Sequence, residues 1–321
     1  MNRLLFALLT LPILTLAQSY APAPGQTGST AISKDSNVIV GWATGVEINR
    51  GPLDIADIAL GNATHGIDQY ALGPAEGDGV LVVSLGDRGS ATVTFASPIM
   101  NGPGPDFAVF ENGFADNYME FAFVEVSSDG QNFVRFPSYS ETPTVSQIDN
   151  FMFGDCRYVH NLAGKYRQGY GTPFDLDELN SGIPINLNAI THVRVVDVVG
   201  SIDPVYGSTD FLGNLINDPY PTVFESGGFD LDAVAVIHQA PLEIDEVSVN
   251  VTVYPNPAKG TLHISLSEQC AMEVMSTDGK ILFSEEHFKG GQLSLDGMKG
   301  TILIRLVGDN ISTIQRVIVQ E

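Results

Sequence analysis

Two aspartates one residue apart, Asp230 and Asp232, stand inside the apolar run Phe229–Ile237. Side chains of an extended strand alternate between faces. Both carboxylates therefore share a face with Val234 and Val236, while Leu231, Ala233, Ala235 and Ile237 take the other. Neighbouring like charges on one face repel unless something positive lies between them. Asp197 sits in a second apolar run, with Val195 and Val199 on its face, and must be paired, coordinated or at a strand end. Asp106 and Glu111, the latter followed by Asn112, bracket a third run, Phe107–Phe110. Carboxylate, amide and carbonyl oxygens from irregular loops are the donor set of Ca²⁺. The expected site is a calcium ion held by some of Asp106, Glu111, Asn112, Asp197, Asp230 and Asp232. Backbone amides, turn caps or pairing with Arg135 and Arg194 would serve the same carboxylates, and the sequence leaves both arrangements open. An ion here would be structural, because no base or nucleophile is aimed at it. Asp203, Asp210 and Asp218 form a weaker second set whose spacing does not match an EF-hand loop.

Other chemistry finds less support. The chain has no Gly-x-Ser-x-Gly elbow, no His-Glu-x-x-His helix and no phosphate-cradling glycine loop. Cys156 has His160 four residues on, yet nothing completes a thiol nucleophile. Glu120 and Glu125 could form a glycosidase pair, since that chemistry depends on carboxylate separation in space, and a carbohydrate-active hydrolase is the rival reading. Tyr166, Tyr170 and Tyr206 lie in glycine-rich loops. Flat rings there can stack on sugars or corrins beside Asn and Asp, or can pack the loops onto the fold.

Composition narrows the partners. Asp and Glu number 38 against 15 Lys and Arg, for a net charge of −23. The excess is uneven: residues 18–245 hold 29 acids and 8 bases, and residues 246–321 hold 9 and 6. So acidic a surface repels phosphate backbones and anionic lipid, which disfavours nucleic acid and direct membrane binding. Arg3, an apolar core from Leu4 to Leu16 and the small residue Ala17 form the three parts of a secretory leader, residues 1–17. No other run approaches the roughly 20 apolar residues of a membrane helix, so no transmembrane segment is expected in the mature protein. Cys156 and Cys270 fall on opposite sides of the expected domain boundary, which argues against an intradomain disulfide despite an oxidising destination.

The elements that must position these residues read as strands. Val38–Trp42, Val80–Leu85, Ala91–Phe95, Phe107–Phe110, Phe121–Ser127, Phe133–Phe136, His192–Val199 and Leu231–His238 are short apolar runs between Gly, Pro, Asn and Asp punctuation. Asp129-Gly130 turns one hairpin. Val193–Gly200 is expected to pair with Gly227–Ile237, and a short helix is expected over Phe174–Leu179. The glycine- and aspartate-rich stretch 200–228 is long enough to suggest function or disorder. The whole reads as all-β: a jelly-roll-type antiparallel sandwich over residues 18–240, a linker at 241–246, and a small Ig-like sandwich over 247–321.

That last segment carries a specific pattern. Val253-Tyr254-Pro255-Asn256-Pro257, then Gly260, an alternating strand, Asp278-Gly279-Lys280, a glycine-rich turn and a closing apolar strand resemble the type A sorting domain of the type IX secretion system of Bacteroidetes. The prolines are expected to fix a turn after the first strand, and Gly279 to relieve a hairpin. The resemblance implies the type IX machinery as partner and a secreted or outer-surface location. The body's phrases, Asn101–Gly113, Phe123–Phe136, Ala163–Asp175 and the two runs above, resemble an uncharacterised family of bacterial cell-surface proteins with galactose-binding-like jelly rolls. That resemblance implies binding or adhesion: capture of a glycan, a nutrient or cofactor, or a surface component, with an outer-membrane receptor as a possible partner. A structural or adhesive protein without small ligand is the third reading.

Overall fold

The computed structural model describes residues 19–152, 154–179, 184–240, 251–266, 268–308 and 312–320. The expected leader and linker lie outside the described residues. The chain divides into two compact units, Met1–Pro241 and Leu242–Glu321.

The first unit, the body, opens with β1 (Ile32–Ser33), β2 (Gly41–Trp42), β3 (Gly45–Asn49), β4 (Val83–Ser84), β5 (Ser90–Ile99), β6 (Phe107–Glu111) and β7 (Ala122–Ser127). It continues with β8 (Val134–Arg135), β9 (Tyr139–Ser140), β10 (Val159–His160), β11 (Tyr170–Phe174), β12 (Ile190–Asp197) and β13 (Asp230–Val236). One sheet runs β1-β11-β6-β13-β2 with β4 also on β13, and a second runs β3-β5-β12-β7-β8. Consecutive long strands alternate between these sheets and pair antiparallel, which is jelly-roll-type wiring.

Val93, Val124, Val126, Val193 and Val195 of the second sheet form one core with Phe107, Val109, Val234 and Val236 of the first. The outer faces are covered too. Ile39 and Trp42 lie over Ala108, Phe110, Ala233 and Ala235, while Met119, Cys156, Val159, Leu162 and Ile216 pack with Phe121, Phe123 and Val198. With both faces covered, β6, β7 and β13 are buried along their whole length, and the carboxylates they carry are buried with them.

Three expectations change. Val193–Gly200 and Gly227–Ile237 do not pair: β12 lies between β5 and β7, and β13 bonds to β6 in the other sheet. The stretch 200–228 carries the chain between sheets. The helix at Phe174–Leu179 is the end of β11 followed by a single 3₁₀ turn, Leu176–Glu178, capped by the Asp175 carboxylate accepting from the Asp177 amide. The alternation along β13 is broken by a β-bulge between Leu231 and Ala233, which face Glu111 and Phe110 in register. Asp232 is the extra residue, so Leu231 joins Val234 and Val236 in the central core.

The second unit contains β14 (Thr252–Lys259), β15 (Thr261–Ser265), β16 (Cys270–Ser276), β17 (Ile281–Phe288), β18 (Gly291–Ser294), β19 (Gly300–Val307) and β20 (Ser312–Val319). Their order is β17-β16-β19-β20-β14-β15-β18. Tyr254-Pro255-Asn256-Pro257 does not form a turn after the first strand. β14 pairs with β15 through Tyr254 and reaches β20 at Ala258, so the motif spans the change of partner. Pro255 and Pro257 have no N–H to offer. The Asn256 side chain bonds β20 in their stead, donating to the Arg316 carbonyl at 2.8 Å and accepting from the Ile318 amide at 2.9 Å. The expected Asp278-Gly279 hairpin is present, with Gly279 at φ +85° and its amide on the Ser276 carbonyl.

Candidate functional site

Strand register gathers acids at one end of the body. Glu111 ends β6 opposite Leu231, placing it beside Asp230 at the start of β13. Asp197 ends β12 opposite Ala122, just beyond Glu120. Asp218 arrives from the 200–228 stretch, its Oδ2 accepting from the Phe121 amide at 2.7 Å. Asp87, in the turn after β4, accepts from Ile55 N. All six are buried, and among the described residues none is ion-paired with Lys or Arg.

Two of the six are closed by hydrogen bonds. Asp197 accepts from the amides of Arg88 and Phe229 at 3.0 and 2.7 Å. Gly228 makes that approach possible, because a Cβ there would lie 2.8 Å from Asp197 Oδ1. Asp230 accepts from the Ser84 hydroxyl and from Asn112 Nδ2. The others are incomplete. Glu111 Oε2 accepts from Gly113 N at 2.7 Å, but its Oε1 is buried without a partner, as is Asp218 Oδ1. Among the described residues no donor reaches the Glu120 carboxylate.

Burial, then repulsion from Asp230, holds Glu111 well above the usual carboxylate range. Glu120 is raised by burial and then by Asp230, Glu111 and Asp218. Burial likewise raises Asp218 and Asp197, and pushes Asp87 and Asp230 to about 6. Ionised together, such groups need a cation; otherwise they need protons. As placed, no three His, Cys, Asp or Glu side chains among the described residues form a ready metal cage.

The six residues expected to hold calcium thus separate. Glu111, Asn112 and Asp230 come together, and Asp197 lies at the same end but is closed by two amides. Asp106, at the opposite end of β6, accepts from Gly102 N, Leu176 N and His238 Nδ1 at 2.7, 2.7 and 2.8 Å. Asp232 accepts from the amides of Glu76 and Gly77. Of the weaker set, Asp210 caps its own turn through Leu212 and Asn214, Asp203 accepts from Val205 N, and only Asp218 joins the cluster. Sequence reasoning did not connect Glu120 with this end, and missed Asp87, which reads as ordinary turn composition in Gly86-Asp87-Arg88-Gly89.

Glu125 takes no part with Glu120. It lies between Arg135, 2.7 Å away, and Arg194 on the second sheet. The tyrosines also disperse. Tyr166 is 1% exposed, its hydroxyl 2.9 Å from Thr30 Oγ1, so its ring is no surface platform for stacking. Tyr170 lies under the Arg167 guanidinium, and the Tyr206 carbonyl accepts from Arg88. Burial pushes the Cys156 thiol up, and His160 is bonded to Glu178, which leaves no thiolate pair. A cavity of about 300 Å³ walled by Met119, Phe121, Ile148 and Met152 adjoins the acidic end through Asp218.

The tail geometry accounts for its motif, and a family model agrees. Residues 252–320 match the secretion system C-terminal sorting domain. This type IX sorting tail implies a protein exported to the cell surface or beyond it. Among the described residues no helix is long and apolar enough to cross a membrane. No curated protein matches the chain. Among solved structures, it is similar to a β-glucuronidase of Faecalibacterium prausnitzii at 12% identity, covering 91% of this chain and 46% of that one, with a TM-score of 0.20. For a Ruminococcus gnavus β-glucuronidase the values are 10%, 94%, 46% and 0.20. For the BSP domain of a biofilm associated protein they are 12%, 72%, 48% and 0.21. The chain spans less than half the length of each.

Proposed function

We propose that the sorting tail exports a binding protein whose body is stabilised by Ca²⁺ at its acidic end and captures a glycan, nutrient or surface component outside the cell. Glu111, Glu120, Asp218 and Asp230 would hold the ion. The observation that carries this reading is the pair of buried, unpartnered oxygens, Glu111 Oε1 and Asp218 Oδ1, within a cluster to which, among the described residues, no Lys or Arg is ion-paired. An oxygen-only donor set suits a hard cation over a transition metal. Because these carboxylates do not form a ready cage as placed, they would have to turn toward the ion to complete it.

Binding confined to the folded state raises the melting temperature. Calcium added to the full chain is expected to raise the body's thermal midpoint, and the Glu111→Gln, Asp218→Asn double variant to lose the response. If EDTA leaves the wild-type midpoint unchanged at neutral pH, the cluster is held by protons and the ion reading fails.

A further inference from the structure

Away from the acidic end, a cavity of about 300 Å³ is lined by Tyr20, Lys165, Tyr166, Thr172, Asp175 and Glu178. Lys165 is 3% exposed, and its ammonium makes one hydrogen bond, to the Val159 carbonyl at 2.7 Å. An ammonium has three donors. Among the described residues no carboxylate stands within ion-pair distance of Lys165, although acids outnumber bases 38 to 15. Burial lowers its pKa to about 8, so it remains largely charged at neutral pH. The rings of Tyr20 and Tyr166 flank the ammonium at 5.9 and 5.6 Å. Thr172, 4% exposed, has a hydroxyl without a partner. Two polar groups in the cavity lining are therefore buried with hydrogen-bonding capacity unspent, which is costly unless something enters to use it.

The acids of the same lining decide what enters. Asp175 gives one oxygen to the Asp177 amide, and Glu178 gives Oε2 to His160 and Asn161. Their second oxygens are open among the described residues. A simple anion would meet these carboxylates, and a simple cation would meet Lys165. A neutral molecule bearing both donors and acceptors satisfies both kinds of group. Pro105 and Pro173 add apolar surface, which matches the C–H face of a sugar ring, and the volume is at the lower end of the roughly 300–1,000 Å³ of small-molecule sites.

We infer that this cavity takes a monosaccharide-sized polyol unit, its hydroxyls accepting from Lys165 and Thr172 and donating to Asp175 and Glu178. The inference rests on the capture reading above but not on the ion. The test is calorimetric and NMR titration of the full chain with neutral hexoses, pentoses, a hexuronic acid and a free amino acid, in calcium and in EDTA. A neutral sugar is expected to bind with Kd of roughly 1 mM or tighter and to shift the Tyr20 and Tyr166 ring resonances. Thr172→Val, nearly isosteric, is expected to weaken binding about five- to tenfold at an unchanged thermal midpoint, and Lys165→Met to abolish it. Binding unaltered by both variants would overturn this site while leaving capture standing. Binding of the amino acid or uronic acid alone would overturn the ligand class. No binding by any member would remove both the site and the glycan form of the capture reading.

Discussion

The two units handle charge and burial in opposite ways. The tail buries alternate residues, as in β19, where Ile302, Ile304 and Leu306 point inward and their neighbours do not. Among the described residues none of its acids is buried, and Asp278, in an open turn, is lowered by its bond from Ser276. The body buries whole strands on both faces and takes carboxylates in with them. Recognition of the tail therefore rests on a local pattern. Whatever the body does rests on residues far apart in the chain that meet at strand ends.

The sharpest way to separate the units is to damage one core. Phe107 is fully buried and stacks on Phe174 with ring centroids 5.3 Å apart. Phe107→Ala is expected to cost the body about 3–5 kcal/mol, lowering its denaturant midpoint while the tail transition stays in place. A shift of both transitions together would show that the units do not unfold separately.

Acidity offers the next contrast. Asp87, Asp230 and Asp232 have folded pKa values near 6, and Glu111, Glu120, Asp197 and Asp218 lie higher than usual. Each binds its proton more tightly folded than unfolded. The stability they add is present below the unfolded values near ~4 and is lost as pH rises through the folded ones. The ion-free body should therefore weaken between about pH 4 and 7, by on the order of 2 kcal/mol or more. Calcium should flatten that slope, and the tail should not share it. Thermal melts across this range, with and without EDTA, check both statements. In EDTA at pH 8, Glu111→Gln should stabilise the body by about 1–2 kcal/mol, because it removes a repelled buried charge.

Smaller effects belong to the tail. Asn256→Ala removes two side-chain bonds to β20 and should cost the tail about 1–2 kcal/mol, read from its own transition. Gly279→Ala, at φ +85°, should cost roughly 1 kcal/mol. Neither should move the body midpoint.

Much of the fold is legible residue by residue. The eight apolar runs of the body mark strands because burial demands such runs, and Asp129-Gly130 turns its hairpin as read, with Gly130 at φ +72° and Glu125 opposite Arg135. The short strands β3 and β11 were not legible. Gly45-Val-Glu-Ile-Asn49 is brief and half exposed, and Tyr170-Gly-Thr-Pro-Phe174 carries a glycine and a proline that usually punctuate. The tyrosine loop left two readings open for a related reason: glycine content predicts a turn, not whether Tyr166 finds Thr30 beneath it.

By itself, the sequence determined the all-β class, the excess acid and the sorting tail, since composition, alternation and the Tyr254–Gly260 pattern are local properties. Only the tertiary structure decided which carboxylates meet. A one-residue bulge at Asp232 reverses the parity of β13 and separates Asp232 from Asp230. Assignment of β12 and β13 to different sheets, and the return of the 200–228 stretch, bring Asp197 and Asp218 to the end where Glu111 and Glu120 already lie. Pairing register and loop return are non-local, and the energies that select them come from cores assembled by many strands at once.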